Sequence, residues 1–92
     1  MTTSKYVIEK YGETHEIFDV WESFSGWYWF VTNPLPYPEE PDIKYGFVVG
    51  FEEEFGTFDL KELLDIMGKS GKVWRVPKQN WFSISHVKRV EA

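Results

Sequence analysis

The sequence has no cysteine. That absence removes disulfide bonds, thiolate metal sites and cysteine nucleophiles together. Histidine is almost as scarce: His15 and His86 are the two in the chain, and they stand near opposite ends of it. No serine or cysteine pattern accompanies either, so neither a metal site nor a catalytic triad has the spacing it would need. Long apolar runs are missing as well, since no window approaches the roughly 18 residues of a membrane span. Met1-Thr2-Thr3-Ser4-Lys5 is not backed by the apolar core of a secretion signal. The expectation is a cytoplasmic protein without membrane contact.

Basic residues are few and unevenly placed. Residues 1–68 carry 14 of the 15 acids against Lys5, Lys10, Lys44 and Lys61, whereas residues 69–92 carry Lys69, Lys72, Arg75, Lys78, Lys88 and Arg89 against Glu91. The formal net charge of −5 therefore averages an acidic body and a basic tail. Such asymmetry bears on partners, not on fold. Ninety-two residues make one domain, 1–92, with a thin core. What is abundant is aromatic: 5 Trp, 5 Tyr and 8 Phe supply large buried area per residue where staples are missing.

Residues 5–11 alternate weakly and read as a strand, followed by a turn at Gly12-Glu13. Residues 16–24 read as a second strand, with Phe18, Val20 and Phe24 on one face. Ser25-Gly26 is a hairpin signal leading into the strand 27–32, apolar on both faces and so expected at the sheet centre. Four of the five prolines fall within residues 33–42, which mark a semi-extended loop. Residues 44–51 resume strand character, with Tyr45, Phe47, Val49 and Phe51 on one face and the small Gly46 and Gly50 on the other.

Leu60, Leu63, Leu64 and Met67 recur at helical spacing, with Asp59 as N-cap, Glu62 three residues on and Gly68 as the residue past the C-terminus. This predicts a helix, with Leu63 and Leu64 as core anchors. Residues 72–76 read as a strand stopped by Pro77, 81–84 as a possible sheet extension, and 85–90 as a possible short terminal helix. The predicted fold class is α+β: an antiparallel sheet of about five strands in meander with one main helix on one face.

Three segments resemble a known family. They are Trp27-Tyr28-Trp29-Phe30-Val31-Thr32, Tyr45-Gly46-Phe47-Val48-Val49-Gly50-Phe51-Glu52 and Glu54-Phe55-Gly56-Thr57-Phe58-Asp59-Leu60-Lys61-Glu62-Leu63. In order and pattern they resemble the "domain of unknown function 2958" family of bacterial plasmids, integrative elements and phages. The resemblance covers about half the chain. It departs where Asn33 replaces the family's usual Glu, and the N-terminal part has no counterpart. The family has no established activity, although some members carry the label of single-stranded DNA endonuclease. What the resemblance implies is a mobile-element or viral setting.

Candidate chemistry falls in three places. Glu52, Glu53 and Glu54, with Asp59 and Glu62 beyond, are dense enough in carboxylate for Mg²⁺. Adjacent strand residues cannot all face one ion, however, and a solvated strand end explains them. Pro41-Asp42 with Asp59-Leu60-Lys61 mimics a nuclease spacing, but there the Asp-x-Lys pair must lie on a strand, and here Asp59 serves as a helix cap. In the tail, Lys72, Trp74, Arg75, Lys78, Trp81, Lys88 and Arg89 interleave bases with aromatics, as single-strand binding requires. The expected function is a non-catalytic accessory domain, without metal or cofactor, that binds a protein or a single-stranded nucleic acid. The alternatives are a metal-dependent nuclease using Glu52, Glu54 and Asp59, or an acidic nucleic-acid mimic that inhibits a host protein through Glu52, Glu53 and Glu54. Oligomeric state is left open.

Overall fold

The computed structural model describes residues 4–35 and 37–91. Strand β1 (Ser4–Lys10) and strand β2 (Glu13–Glu16) form a hairpin closed by the Lys10–Glu13 pair. Its two central residues, Tyr11 and Gly12, have φ of 54° and 76°. Positive φ at both positions is what a tight hairpin turn compatible with strand twist demands.

The chain changes sheets within one peptide step. The Ile17 amide donates to Tyr6 in β1, and the next amide, Phe18, donates to Val31 in a different sheet. The stretch expected as one strand over 16–24 is therefore two, β2 and β3 (Asp19–Ser23). Phe18 and Phe24 consequently lie exposed, while Val20 is fully buried.

Strands β4 (Tyr28–Asn33), β5 (Ile43–Val49) and β6 (Glu53–Asp59) continue the meander. Helix α1 (Leu60–Ser70) then carries the chain across to β7 (Val73–Arg75) at the opposite edge. The result is a five-stranded antiparallel sheet ordered β6-β5-β4-β3-β7. The expected α+β class and five-stranded sheet are present, but membership differs. Residues 5–11 lie outside the large sheet, and β6 takes the fifth place. Its Glu53 and Glu54 are strand residues, carried there because Phe55 packs on Phe47 at 4.9 Å.

A 3-10 segment, Lys78–Ser83, occupies the span read as a sheet extension. Strand β8 (Lys88–Glu91) replaces the expected terminal helix and completes a second sheet ordered β2-β1-β8. All four β8 side chains are exposed, so backbone pairing with β1, not an apolar stripe, fixes this strand. That is why helical periodicity gave a misleading signal there.

Two cores result, one on each face of the large sheet. On one face Val20, Phe30, Phe47 and Val49 meet Ile8 and Ile17 of the small-sheet side, with Val76, Trp81 and Ile84 from the tail. On the other, Leu63 of α1 packs with Trp21 and Val73. Asp59 caps α1 as expected, its carboxylate accepting from the Lys61 amide at 2.9 Å. Gly68 lies inside the helix, and the left-handed residue is Gly71, whose amide donates to Met67. Leu63 is 5% exposed but Leu64 is 41% exposed. The expectation of two equal core anchors is thus corrected: α1 sits beside the β7 edge, where a narrow stripe is covered and Leu64, Ile66 and Met67 are left at the surface.

Candidate partner-binding surface

The tail residues singled out in the sequence are scattered by the fold. Trp74 and Arg75 are successive residues of β7, so they point to opposite faces. Trp74 donates its indole N–H to Glu22 at 3.1 Å. The other oxygen of the same carboxylate accepts from the Tyr28 hydroxyl at 2.8 Å. Burial, reinforced by that carboxylate, pushes the Tyr28 phenol up to about 12. On the opposite face Arg75 pairs with Asp19 at 3.3 Å and lies over the Trp21 ring at 4.9 Å.

Trp81 is a core residue, 5% exposed, with its indole N–H on the Val76 carbonyl at 2.9 Å and its ring edge-on to Tyr6. It offers no face to a nucleobase. Lys72 stands over Phe24 at 5.3 Å, and Lys78 is exposed at the start of the 3-10 segment. Lys88 pairs with Glu9, and Arg89 with Glu91, each at 3.2 Å, on the second sheet. Two sheets and both faces of one of them share these residues, and no single surface collects them.

The three glutamates at the β5–β6 turn also separate. Glu53 reaches back toward the small sheet: one oxygen lies 3.0 Å from Lys10 Nζ, the other 2.8 Å from His86 Nε2. The hydrogen bonds from Lys10 and then His86 hold its carboxyl below the ordinary value, and Glu53 in turn raises the Lys10 ammonium. Glu54, one residue on, stands opposite Val48 and so shares the face that carries Trp29. Glu54 and Asp59 lie five residues apart on β6, about 17 Å along the strand and on opposite faces. The trio Glu52, Glu54 and Asp59 is therefore not brought together. Among the described residues no three His, Asp or Glu side chains gather as a metal site.

Glu52 and Glu54 instead border an aromatic hollow of about 260 Å³, together with Trp27, Val48, Gly50 and Phe51. The Trp27 and Phe51 rings meet edge to face, 5.3 Å apart at 83°, and the Trp29 ring lies 6.0 Å from that of Trp27. Gly50 makes this possible. A Cβ there would come within 2.6 Å of a ring carbon of Trp27, so only glycine lets the indole lie against the turn. Phe51 is 95% exposed. The strand read over 44–51 sets Phe51 on one face with Tyr45, Phe47 and Val49, but β5 ends at Val49 and the turn takes Phe51 out of register. The available signal is Gly50 near the end of the strand read over 44–51, with the acids Glu52, Glu53 and Glu54 directly beyond it.

No known protein family, curated protein or solved structure matches the chain. The fold defines a small α+β domain, and among the described residues no helix is long and apolar enough to cross a membrane.

Proposed function

We propose that the chain is a non-catalytic binding domain and that its macromolecular partner is a protein. The observation that carries this reading is the open aromatic hollow at the β5–β6 turn, edged by Glu52 and Glu54. Monomeric domains seldom leave large rings in solvent beside apolar surface without a use for them. The distribution of cations supports the same choice. Phosphate contacts need available Lys and Arg, yet Arg75, Lys88 and Lys69 are engaged with Asp19, Glu9 and Asp65. Trp81, the second stacking platform that the tail offered, is part of the core.

A mobile-element or viral setting follows from the resemblance of three segments to the uncharacterised family named above. The acidic-mimic reading is a special case, in which the partner is itself a nucleic-acid-binding protein. The test is affinity capture from host lysate, with and without nuclease treatment. Capture of a defined protein that resists nuclease and competes with DNA in the mimic case is the expected result. Direct binding of labelled single-stranded oligonucleotide at low salt, lost on Lys72→Ala with Lys78→Ala, would overturn the proposal in favour of the basic tail.

A further inference from the structure

We infer that the hollow at the β5–β6 turn receives an arginine side chain of the partner protein. The inference rests on the reading above and gives it a chemistry. The hollow combines two elements that suit one kind of occupant. Trp27 and Phe51 stand nearly perpendicular and form two walls of a corner. Cations are drawn to the faces of such rings, and to indole above all. On the rim are Glu52 and Glu54, both exposed and, among the described residues, without an ion pair.

Strand geometry explains why these two are available and Glu53 is not. Alternation along β6 sends Glu53 to the opposite face, where it is engaged by Lys10 and hydrogen-bonded to His86. Lys10 is thereby kept away from the hollow. The surrounding body adds to the negative field, with 14 acids against four lysines in residues 1–68. A cationic occupant is therefore favoured at the contact and on approach.

Other occupants fit less well. An apolar side chain seated on Phe51 would strip water from two carboxylates and return nothing to them. An anionic membrane surface is repelled by the same carboxylates. A second copy of the chain brings net charge −5 against net charge −5. Between the two basic side chains, the guanidinium is planar, is weakly hydrated, stacks on indole, and forks its N–H groups onto carboxylate. Lysine, a compact ammonium, does one of these things at a time.

The experiment titrates the full chain, labelled with ¹⁵N, against two capped tripeptides, Gly-Arg-Gly and Gly-Lys-Gly. The expected result is a saturable shift of the Trp27 indole N–H and the Gly50 and Phe51 amides, at least about threefold tighter for arginine. Trp27→Ala is expected to weaken arginine binding by about two- to thirtyfold, the range of a cation–π contact. Glu52→Gln with Glu54→Gln, which keeps shape and removes charge, is expected to weaken it comparably and to flatten its salt dependence. Both proteins are first checked for an unchanged melting curve.

Equal binding of the lysine peptide, shifts confined to other residues, or no saturable shift with either peptide overturns the assignment. So does a concentration-dependent dimer abolished by Phe51→Ser, because a second copy then covers the corner. Failure of both peptides while nuclease-resistant capture persists removes the arginine and leaves the protein-binding reading. Arginine binding without such capture does the reverse.

Discussion

The carboxylate of Glu53 lies 2.8 Å from Nε2 of His86, tying the β6 edge of the large sheet to the loop that enters β8. Its second oxygen holds Lys10 at the end of β1. One side chain thus fastens the small sheet to the large one at two points, beside the Phe55 ring, which lies 4.5 Å from His15.

A pH dependence follows. Lys10, then His86, lower the Glu53 carboxyl from its ordinary value of 4.5. The folded-state value lies below the unfolded one, so the stabilisation is present above about 4.5 and fades as pH falls through the folded value. Lys10 is shifted the other way: its contribution holds below 10.5 and is lost as pH rises through its raised value. Wild type is expected to melt above Glu53→Gln at neutral pH, with the two curves converging as pH falls below 4.5 and through the lowered folded value. A gap that stays constant from neutral to acid would show that Glu53 acts by some means other than its charge.

Neighbouring leucines on α1 should behave differently. Leu63 packs on Trp21 and Val73, and Leu63→Ala is expected to cost about 2–4 kcal/mol. Leu64, 41% exposed, is expected to cost less than about 1 kcal/mol on the same change. Urea unfolding of the two variants measures the contrast, and equal losses would mean that α1 is rotated from the position described.

Two glycines should respond with opposite signs. A Cβ on Gly46 would overlap the Phe30 carbonyl oxygen and approach its carbon to 2.8 Å, and backbone cannot step aside. Gly46→Ala is expected to destabilise by at least about 2 kcal/mol. Gly68 lies within α1 with nothing within 4 Å of a built Cβ. There the alanine substitution is expected to stabilise by about 0.5–1 kcal/mol, by relieving the entropic cost of helical glycine. Calorimetric melts of both proteins check the pair.

Trp81 is expected to act as a structural residue. Trp81→Ala should cost about 3–5 kcal/mol through its cavity. Trp81→Phe should cost about 1–3 kcal/mol, because the Val76 carbonyl loses its buried indole donor. A change below about 0.5 kcal/mol in either would contradict its place in the core.

Much of this was legible in the sequence where a local signal and burial agree. The N-cap at Asp59, the stripe around Leu63, the proline loop and the apolar strand read over 27–32, found as Tyr28–Asn33, all belong to that class. Three things escaped for physical reasons. The sheet change at Ile17-Phe18 leaves no mark in alternation, since both flanking strands keep a period of two. Strand β8 is polar throughout and exists through its pairing with a strand at the far end of the chain. The Trp27–Phe51 corner depends on where β5 stops, and strand ends are set by the partner's register as much as by composition. The basic-aromatic tail, by contrast, was clear in one dimension and dispersed in three.

The pairing of β1 with β8 sets Ser4 opposite Glu91, so the first described strand waits for the last. During synthesis, β2 through β7 emerge while one flank of β1 has nothing to bond. The layer over Phe30 and Phe47 stays unfinished until Val76, Trp81 and Ile84 have emerged. Contacts of such long range are slow to close. A ring-lined sheet face held open on the ribosome is a target for chaperones and for neighbouring nascent chains. The cost of fastening β1 to β8 is therefore borne in time, before the fold exists.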